Sequence, residues 1–126
     1  MFRKIDHVEI IPGDMDRSLD FYVGVLGFSV KIRKKVEMPP MEEIVYLELN
    51  ETVLELITVT DPAPAGDAEW QVGYRMIALE VEDMDRAIAY LKEKGIEVTW
   101  GPVALGPSKR AEIRDPDGLP IELRQW

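Results

Sequence analysis

Apolar and polar residues alternate along Lys4 to Ile11 and then recur at helical spacing in the segment that follows. The two-residue alternation predicts a half-buried strand, with His7 on the face opposite Val8. Pro12-Gly13 ends this strand, and Asp14 is typical of a helix N-cap. The predicted helix has a single apolar stripe, which is formed by Met15, Leu19, Tyr22 and Leu26.

Three further strands complete the first half of the chain. Alternating, β-branched segments predict them at Phe28 to Val36, Glu43 to Leu49 and Thr52 to Val59. Asn50-Glu51 predicts a tight hairpin between the last two of these strands. Residues 60–73 are rich in proline, alanine and glycine and therefore predict a linker.

The second half of the chain repeats the first. The motif Asp-Met-Asp-Arg occurs at Asp14 to Arg17 and again at Asp83 to Arg86, and the same shift carries His7 onto Met76. The elements predicted here are a strand at 75–82, a helix that begins after Asp83 and ends at Gly95, a short strand at 96–100, a loop at 103–108, and strands at 109–114 and 119–125 joined by a turn at 115–118.

An internal repeat is stronger evidence of architecture than any local motif. The repeat predicts an α+β fold of two tandem βαβββ modules, residues 1–59 and 74–126, in a single domain. We expect the two modules to form a curved mixed-sheet cup, with the first and last strand of each module facing a shared pocket.

Composition excludes several classes of function. With 46% hydrophobic residues among 126 the chain is globular, and no apolar run is long enough to span a membrane. A net charge of −9 without a basic cluster disfavours nucleic-acid binding, and the absence of cysteine excludes disulfides and thiolate metal sites. Nucleotide-binding glycine loops and serine-nucleophile motifs are also absent. The lack of an export signal predicts a cytoplasmic protein.

The candidate chemistry lies on the face opposite the helix-packing residues. The first and last strands of the modules present His7, Glu55, Met76 and Glu122 there. One imidazole and two carboxylates suit a divalent cation with open positions for water or substrate. A lone histidine in a half-buried strand is also typical of a hydrogen-bonded core residue. The repeat favours a metal, because Glu55 and Glu122 occupy equivalent positions and burying a carboxylate without a partner is costly.

Other charged residues have two interpretations each. Glu9 shares a face with His7 and is a further candidate carboxylate, although its counterpart in the repeat is Ala78. Arg124 lies two residues from Glu122 and is placed either to pair with that carboxylate or to meet an anionic substrate. A basic stripe, Lys31, Arg33 and Lys35, fits either substrate binding or a solvated strand edge.

The chain resembles the vicinal oxygen chelate superfamily, which includes glyoxalase I and the bleomycin-resistance proteins. The motifs that carry the resemblance are Asp6-His7-Val8, Phe21-Tyr22 through Leu26-Gly27-Phe28, Asp115-Pro116-Asp117-Gly118 and Ile121-Glu122-Leu123. The resemblance implies paired βαβββ modules, a homodimer, and a divalent metal (zinc, nickel, manganese or magnesium). It implies metal ligands at His7, Glu55 and Glu122, with Glu122 or Glu55 as the catalytic residue that moves a proton.

Met76 departs from the family pattern, in which histidine is common at this position. A thioether is a poor ligand for these metals. One histidine per chain also disfavours the two-histidine iron sites of dioxygenases. We therefore expect a glyoxalase-like metal protein that performs isomerisation, epimerisation or lyase chemistry on a small carbonyl or acyl substrate through an enediolate. The alternatives are a metal-independent small-molecule binding protein of the bleomycin-resistance type, with an apolar cup lined by Met76, Trp70, Trp100 and Tyr46, and a degenerate member whose cup is packed core.

Overall fold

A computed structural model describes residues 1–66 and 68–126, and these residues form two compact units. Unit 1 is Met1–Pro64 and unit 2 is Ala65–Trp126, so the boundary lies within the predicted linker. The elements of unit 1 are β1 (Val8–Ile10), α1 (Met15–Tyr22), β2 (Ser29–Met38), β3 (Met41–Leu49) and β4 (Thr52–Val59). The elements of unit 2 are β5 (Ile77–Glu80), α2 (Met84–Glu93), β6 (Val98–Leu105), β7 (Ser108–Arg114) and β8 (Pro120–Gln125).

The two units have the same topology. The sheet of unit 1 has the strand order β1-β4-β3-β2, and the sheet of unit 2 has the order β5-β8-β7-β6. Each sheet is mixed, since its first strand pairs in parallel with its last strand and the remaining pairs are antiparallel. The predicted α+β fold of two βαβββ modules is confirmed. That both modules make a single domain stays a prediction.

The repeated Asp-Met-Asp-Arg motif begins both helices in the same way. The side chain of Asp14 accepts a hydrogen bond from the backbone N–H of Arg17 at 2.9 Å, and that of Asp83 accepts one from Arg86 at 3.0 Å. These bonds satisfy amide groups that have no partner within the helix. Within the part of the chain that the structure describes, no helix is long and apolar enough to cross a membrane.

Each sheet has an apolar face and a polar face because side chains alternate along the central strands. The apolar face of unit 1 is formed by Val45, Leu47, Leu54 and Leu56, and that of unit 2 by Ala111, Ile113, Ile121 and Leu123, all of which are buried. The pairing register holds the rest of each strand on the opposite face, where Tyr46 lies beside Glu55 and Glu112 beside Glu122.

The predicted loop at 103–108 was wrong. The strand β6 continues through Gly101-Pro102 to Leu105, and only Gly106-Pro107 turns the chain into β7. Proline is tolerated because β6 is the edge strand of its sheet, where a missing N–H removes no obligatory ladder bond. The pairing with β7 shifts register between Val98 and Trp100 and again across this dipeptide, between Trp100 and Val103, as expected for a bulge.

Gly101 and Gly106 allow a matched test of this strand. Both have positive φ, 76° and 61°, so an alanine at either site must adopt a left-handed backbone, which is unfavourable for a residue with a Cβ. A Cβ at Gly101 would lie 2.7 Å from the Arg110 carbonyl oxygen, whereas one at Gly106 would meet nothing within 4 Å. We expect G101A to lower the free energy of unfolding by about 1–3 kcal/mol more than G106A, measured by urea denaturation. Equal losses would contradict the close packing of β6 on β7.

Candidate functional site

His7 lies at the centre of an acidic cluster on the polar face of unit 1. Its Nδ1 is 2.9 Å from Asp6 Oδ2, and its Nε2 is 3.1 Å from Glu55 Oε2 and 3.5 Å from Glu9 Oε1. The parallel register of β1 and β4 places Glu9 directly beside Glu55, which explains why both carboxylates reach the same ring nitrogen. The register therefore brings together the predicted ligands His7 and Glu55, and adds Glu9.

The two sides of the imidazole impose conflicting demands. If Nδ1–H donates to Asp6, a neutral ring carries its lone pair on Nε2, and that lone pair faces the oxygens of Glu9 and Glu55. Three negatively polarised atoms then point at one another. A cation among them removes the repulsion, and it is either a proton on Nε2 or a metal ion.

The electrostatics of the cluster favour positive charge. The hydrogen bond with Asp6 raises the pKa of His7; partial burial opposes this shift, and Glu9 and Glu55 reinforce it. The Glu55 side chain is only 5% exposed, whereas that of Glu9 is 61% exposed. Tyr46 packs its ring edge against the imidazole, with centroids 5.8 Å apart, and its hydrogen bond to Glu55 raises the pKa of the phenol. The cluster therefore has a buried carboxylate, Glu55, on one side and an exposed carboxylate, Glu9, on the other.

The donor set fits a divalent cation. His7, Glu9 and Glu55 offer three ligand atoms that lie within 4.8 Å of one another. An imidazole and carboxylates are suitable ligands for zinc, nickel or manganese. Asp6 occupies the other ring nitrogen, as carboxylates commonly do behind a metal-bound histidine.

The polar face of unit 2 has the opposite character, because arginines surround Glu122. Arg110 Nε lies 2.9 Å from one oxygen of Glu122, and Arg124 donates to the other oxygen at 2.8 Å. Burial raises the pKa of Glu122, but the hydrogen bonds from the two guanidiniums outweigh burial and leave the pKa below its ordinary value. Arg110 also bonds Glu112 at 2.6 Å. Glu122 therefore accepts from guanidiniums through both oxygens.

Arg75, Arg110 and Arg124 form a basic group with Glu112 and Glu122, and Met76 lies within it. Its sulfur accepts contacts from Arg75 at 3.5 Å and from Arg110 at 3.9 Å. Two guanidiniums at the thioether oppose a metal cation there, in addition to the weakness of the ligand itself. The prediction that Glu122 is a metal ligand stays a prediction, and Arg110 and Arg124 already occupy one acceptor site on each of its oxygens.

A cavity of about 800 Å³ lies within unit 2 beside this group. Met76, Trp70 and Trp100 line it, as the sequence predicted for an apolar cup, whereas Tyr46 lies in unit 1 beside His7. The cavity is not purely apolar, because Arg75, Arg110 and Arg114 also reach it.

A family model for the Glyoxalase/Bleomycin resistance protein/Dioxygenase superfamily matches residues 4–123. The chain belongs to this superfamily. Members of the superfamily typically bind a divalent metal. Among residues 1–66 and 68–126 of this chain, one group of neighbouring donors suits such an ion, namely His7, Glu9 and Glu55.

Relatives within the superfamily match the chain along almost its whole length. The protein YwkD of Bacillus subtilis is 35% identical over 98% of this chain and 97% of its own. A probable lactoylglutathione lyase of Vibrio cholerae is 33% identical over 97% of this chain and 90% of its own. The crystal structure of a glyoxalase family protein from Enterococcus faecalis has a TM-score of 0.85 at 30% identity and covers 98% of both chains.

The sequence pattern did not single out four residues of these clusters, namely Asp6, Arg75, Arg110 and Glu112. Arg110 and Glu112 alternate with Ala111 and Ile113 along β7, so the strand pattern already placed them on the face that carries Glu122. Asp6 belongs to the Asp6-His7-Val8 motif, but its position beside His7 in the sequence does not reveal the contact with the ring. Conversely, Arg33 of the basic stripe bonds Glu43 and Asp16, so it has acidic partners within unit 1.

The contact between Asp6 and His7 predicts a measurable pKa. In metal-free protein the Asp6 carboxylate stabilises the imidazolium, so D6N should lower the pKa of His7 relative to the unmodified chain. His7 is the single histidine of the sequence, so its ring protons can be followed by NMR without assignment of other histidines. D20N, which alters an exposed carboxylate on α1, is the control. An unchanged midpoint in D6N would contradict the contact.

Proposed function

We propose that this protein is a glyoxalase-like metalloenzyme that catalyses isomerisation, epimerisation or lyase chemistry on a small carbonyl or acyl substrate through an enediolate. The observation that carries the proposal is the placement of His7 Nε2 against two carboxylates with Asp6 behind the ring. That arrangement creates a site for a cation at the polar face of a sheet. Membership of the superfamily supports the reaction class.

His7 and Glu55 would hold the metal, with Glu9 as a further ligand. When bound, the cation supplies electrophilic stabilisation of the negative charge that develops on vicinal oxygens of the substrate. Asp6 keeps the ring in the tautomer that presents Nε2. Tyr46 and the buried surroundings of Glu55 limit the movement of that carboxylate.

Proton transfer requires a carboxylate that gains and loses a proton readily. The catalytic step removes a proton from the carbon next to the carbonyl and returns it to the same or the neighbouring carbon. Of the two predicted residues, Glu55 suits this role better. Protonating Glu122 would forfeit its charge-assisted bonds with Arg110 and Arg124, which hold it ionised.

The names of relatives support the substrate class. The Vibrio cholerae relative is a probable lactoylglutathione lyase, and lactoylglutathione is an acyl thioester with a hydroxyl on the carbon next to the carbonyl. The same arrangement of vicinal oxygens is what the proposed chemistry needs. We therefore use S-lactoylglutathione as the probe and leave the physiological acyl group open to substrate screening.

A second candidate function is binding of a small molecule without a metal. The cavity in unit 2 has the volume of ordinary ligand sites, and aromatic and thioether side chains line it. This candidate corresponds to the bleomycin-resistance branch of the superfamily name. The predicted homodimer and cytoplasmic location stay predictions under either function.

Metal binding is the first test. Protein prepared without chelators and dialysed against zinc, nickel or manganese should retain one ion per chain, measured by mass spectrometry of the metal. H7A should weaken binding at least about tenfold because it removes a ligand, and E9Q should weaken it less because Glu9 is mostly exposed.

E80Q is the matched control, since Glu80 is an exposed strand carboxylate of unit 2. E122Q separates the two ligand assignments. Retained metal in E122Q supports the His7, Glu9 and Glu55 set, and lost metal supports the ligand set implied by the family resemblance. Absence of metal from the unmodified chain after every soak would reject the metalloenzyme proposal.

Exchange of the substrate proton tests the chemistry directly. Metal-loaded protein in D2O should replace the proton at the hydroxyl-bearing carbon of S-lactoylglutathione with deuterium, followed by NMR. With metal supplied at a concentration that saturates each variant, E55Q should slow this exchange by about 10²–10⁴-fold because the proton acceptor is lost, whereas E122Q should exchange at a rate close to the unmodified chain. Normal exchange in E55Q, or its loss in a metal-loaded E122Q, would reverse the assignment of the proton acceptor.

A further inference from the structure

The polar faces of the two units differ in charge at equivalent positions. In unit 1, Ile44 pairs with Ile57 beside the pair of Tyr46 and Glu55. In unit 2 the equivalent pairs are Arg110 with Arg124 and Glu112 with Glu122. Two isoleucines are thus replaced by two arginines on an otherwise repeated framework.

The basic group has one positive charge in excess. Arg75, Arg110 and Arg124 share the carboxylates of Glu112 and Glu122, through N–O separations of 2.6 to 3.8 Å. Both carboxylates are largely buried, with side chains 12% and 14% exposed. An excess guanidinium charge at a partly dehydrated site is stabilised by an anion.

Arg75 is the guanidinium that is best placed to bind a ligand. Among the carboxylates of residues 1–66 and 68–126, the nearest oxygen to it is on Glu112, 3.8 Å away, whereas Arg110 and Arg124 have carboxylate partners within 2.9 Å. The Arg75 side chain is 36% exposed, and it lines the cavity of unit 2. Its guanidinium carbon lies 4.2 Å from the centre of the Trp70 ring, which is the distance of a cation–π contact.

The wall beside Arg75 suits a flat apolar body. Trp70, Trp100 and the thioether of Met76 line the cavity together, and Arg110 lies over the Trp100 ring at 4.9 Å. Three carboxylates, Glu69, Glu112 and Asp117, also line the cavity and offset the charges of the three lining arginines. The positive charge is concentrated around Met76, so a ligand with one anionic end matches the site better than a cation does.

We propose that the cavity of unit 2 is a binding site for an aromatic carboxylic acid, with the carboxylate on Arg75 and the ring against Trp70 and Trp100. In this proposal unit 2 binds an anion on the polar face of its sheet, where unit 1 would bind a cation. The proposal specifies the ligand for the second candidate function, small-molecule binding, and it does not depend on a metal.

A matched pair of probes tests the charge requirement. With EDTA present, 2-naphthoate should bind the unmodified chain at least about tenfold more tightly than 2-naphthamide, because only the carboxylate forms an ion pair with Arg75. The indole N–H signals of Trp70 and Trp100 should shift in NMR titrations with the acid. The signal of Trp126, which does not line the cavity, should stay in place.

Variants locate the acid. R75Q should reduce the preference for acid over amide to within about threefold, whereas R75K should retain part of it through its charge. R86Q removes an exposed guanidinium from α2 and should leave the preference intact, and thermal unfolding of each variant reports on folding. Equal affinities for acid and amide, no binding of either, or an intact preference in R75Q would overturn the proposal.

H7A separates this site from the metal site. Acid binding should be unchanged in H7A, which lacks the metal ligand of unit 1. Loss of acid binding in H7A would overturn the assignment to unit 2, and failure of metal binding with normal acid binding would reject only the metalloenzyme proposal.

Discussion

The parallel pairing of the first and last strands is the constraint on which each unit depends. This pairing brings β1 beside β4 and sets Glu9 against Glu55, so that His7 meets both carboxylates at one nitrogen. A shift of one residue would turn every side chain of the strand to the other face. The same hydrogen bonds therefore determine which side chains lie on the apolar face and which lie on the polar face. Burial of the leucines and isoleucines favours the register that the site requires.

The two units are alike on the apolar faces of their sheets and differ on the polar faces. The apolar faces of the two sheets are equivalent, and both helices begin with the same capping motif. Conservation of packing between the units lets the opposite face change charge without loss of the fold. Unit 1 surrounds an imidazole with acids, which favours a cation, and unit 2 surrounds two acids with three guanidiniums, which favours an anion.

Much of this could be predicted from residue pattern. The alternation of strands, the Asp14 and Asp83 caps and the internal repeat specified two βαβββ modules, because these signals are local or compare one segment with another. The loop predicted at 103–108 was wrong because proline is a strand breaker only where its missing N–H is needed. The edge position of β6, which is a property of the whole sheet, makes Pro102 acceptable.

The sequence alone was sufficient to assign the superfamily, the two modules, and His7 and Glu55 as neighbours on one face, since each follows from periodicity or from short motifs. Tertiary structure decided which charges compensate one another. Glu122 looked equivalent to Glu55 by position, yet Arg110 from β7 and Arg124 from its own strand bind both of its oxygens. The contact between Arg110 and Glu122 depends on how β7 pairs with β8. The energy of a charge depends on the atoms within a few ångströms of it.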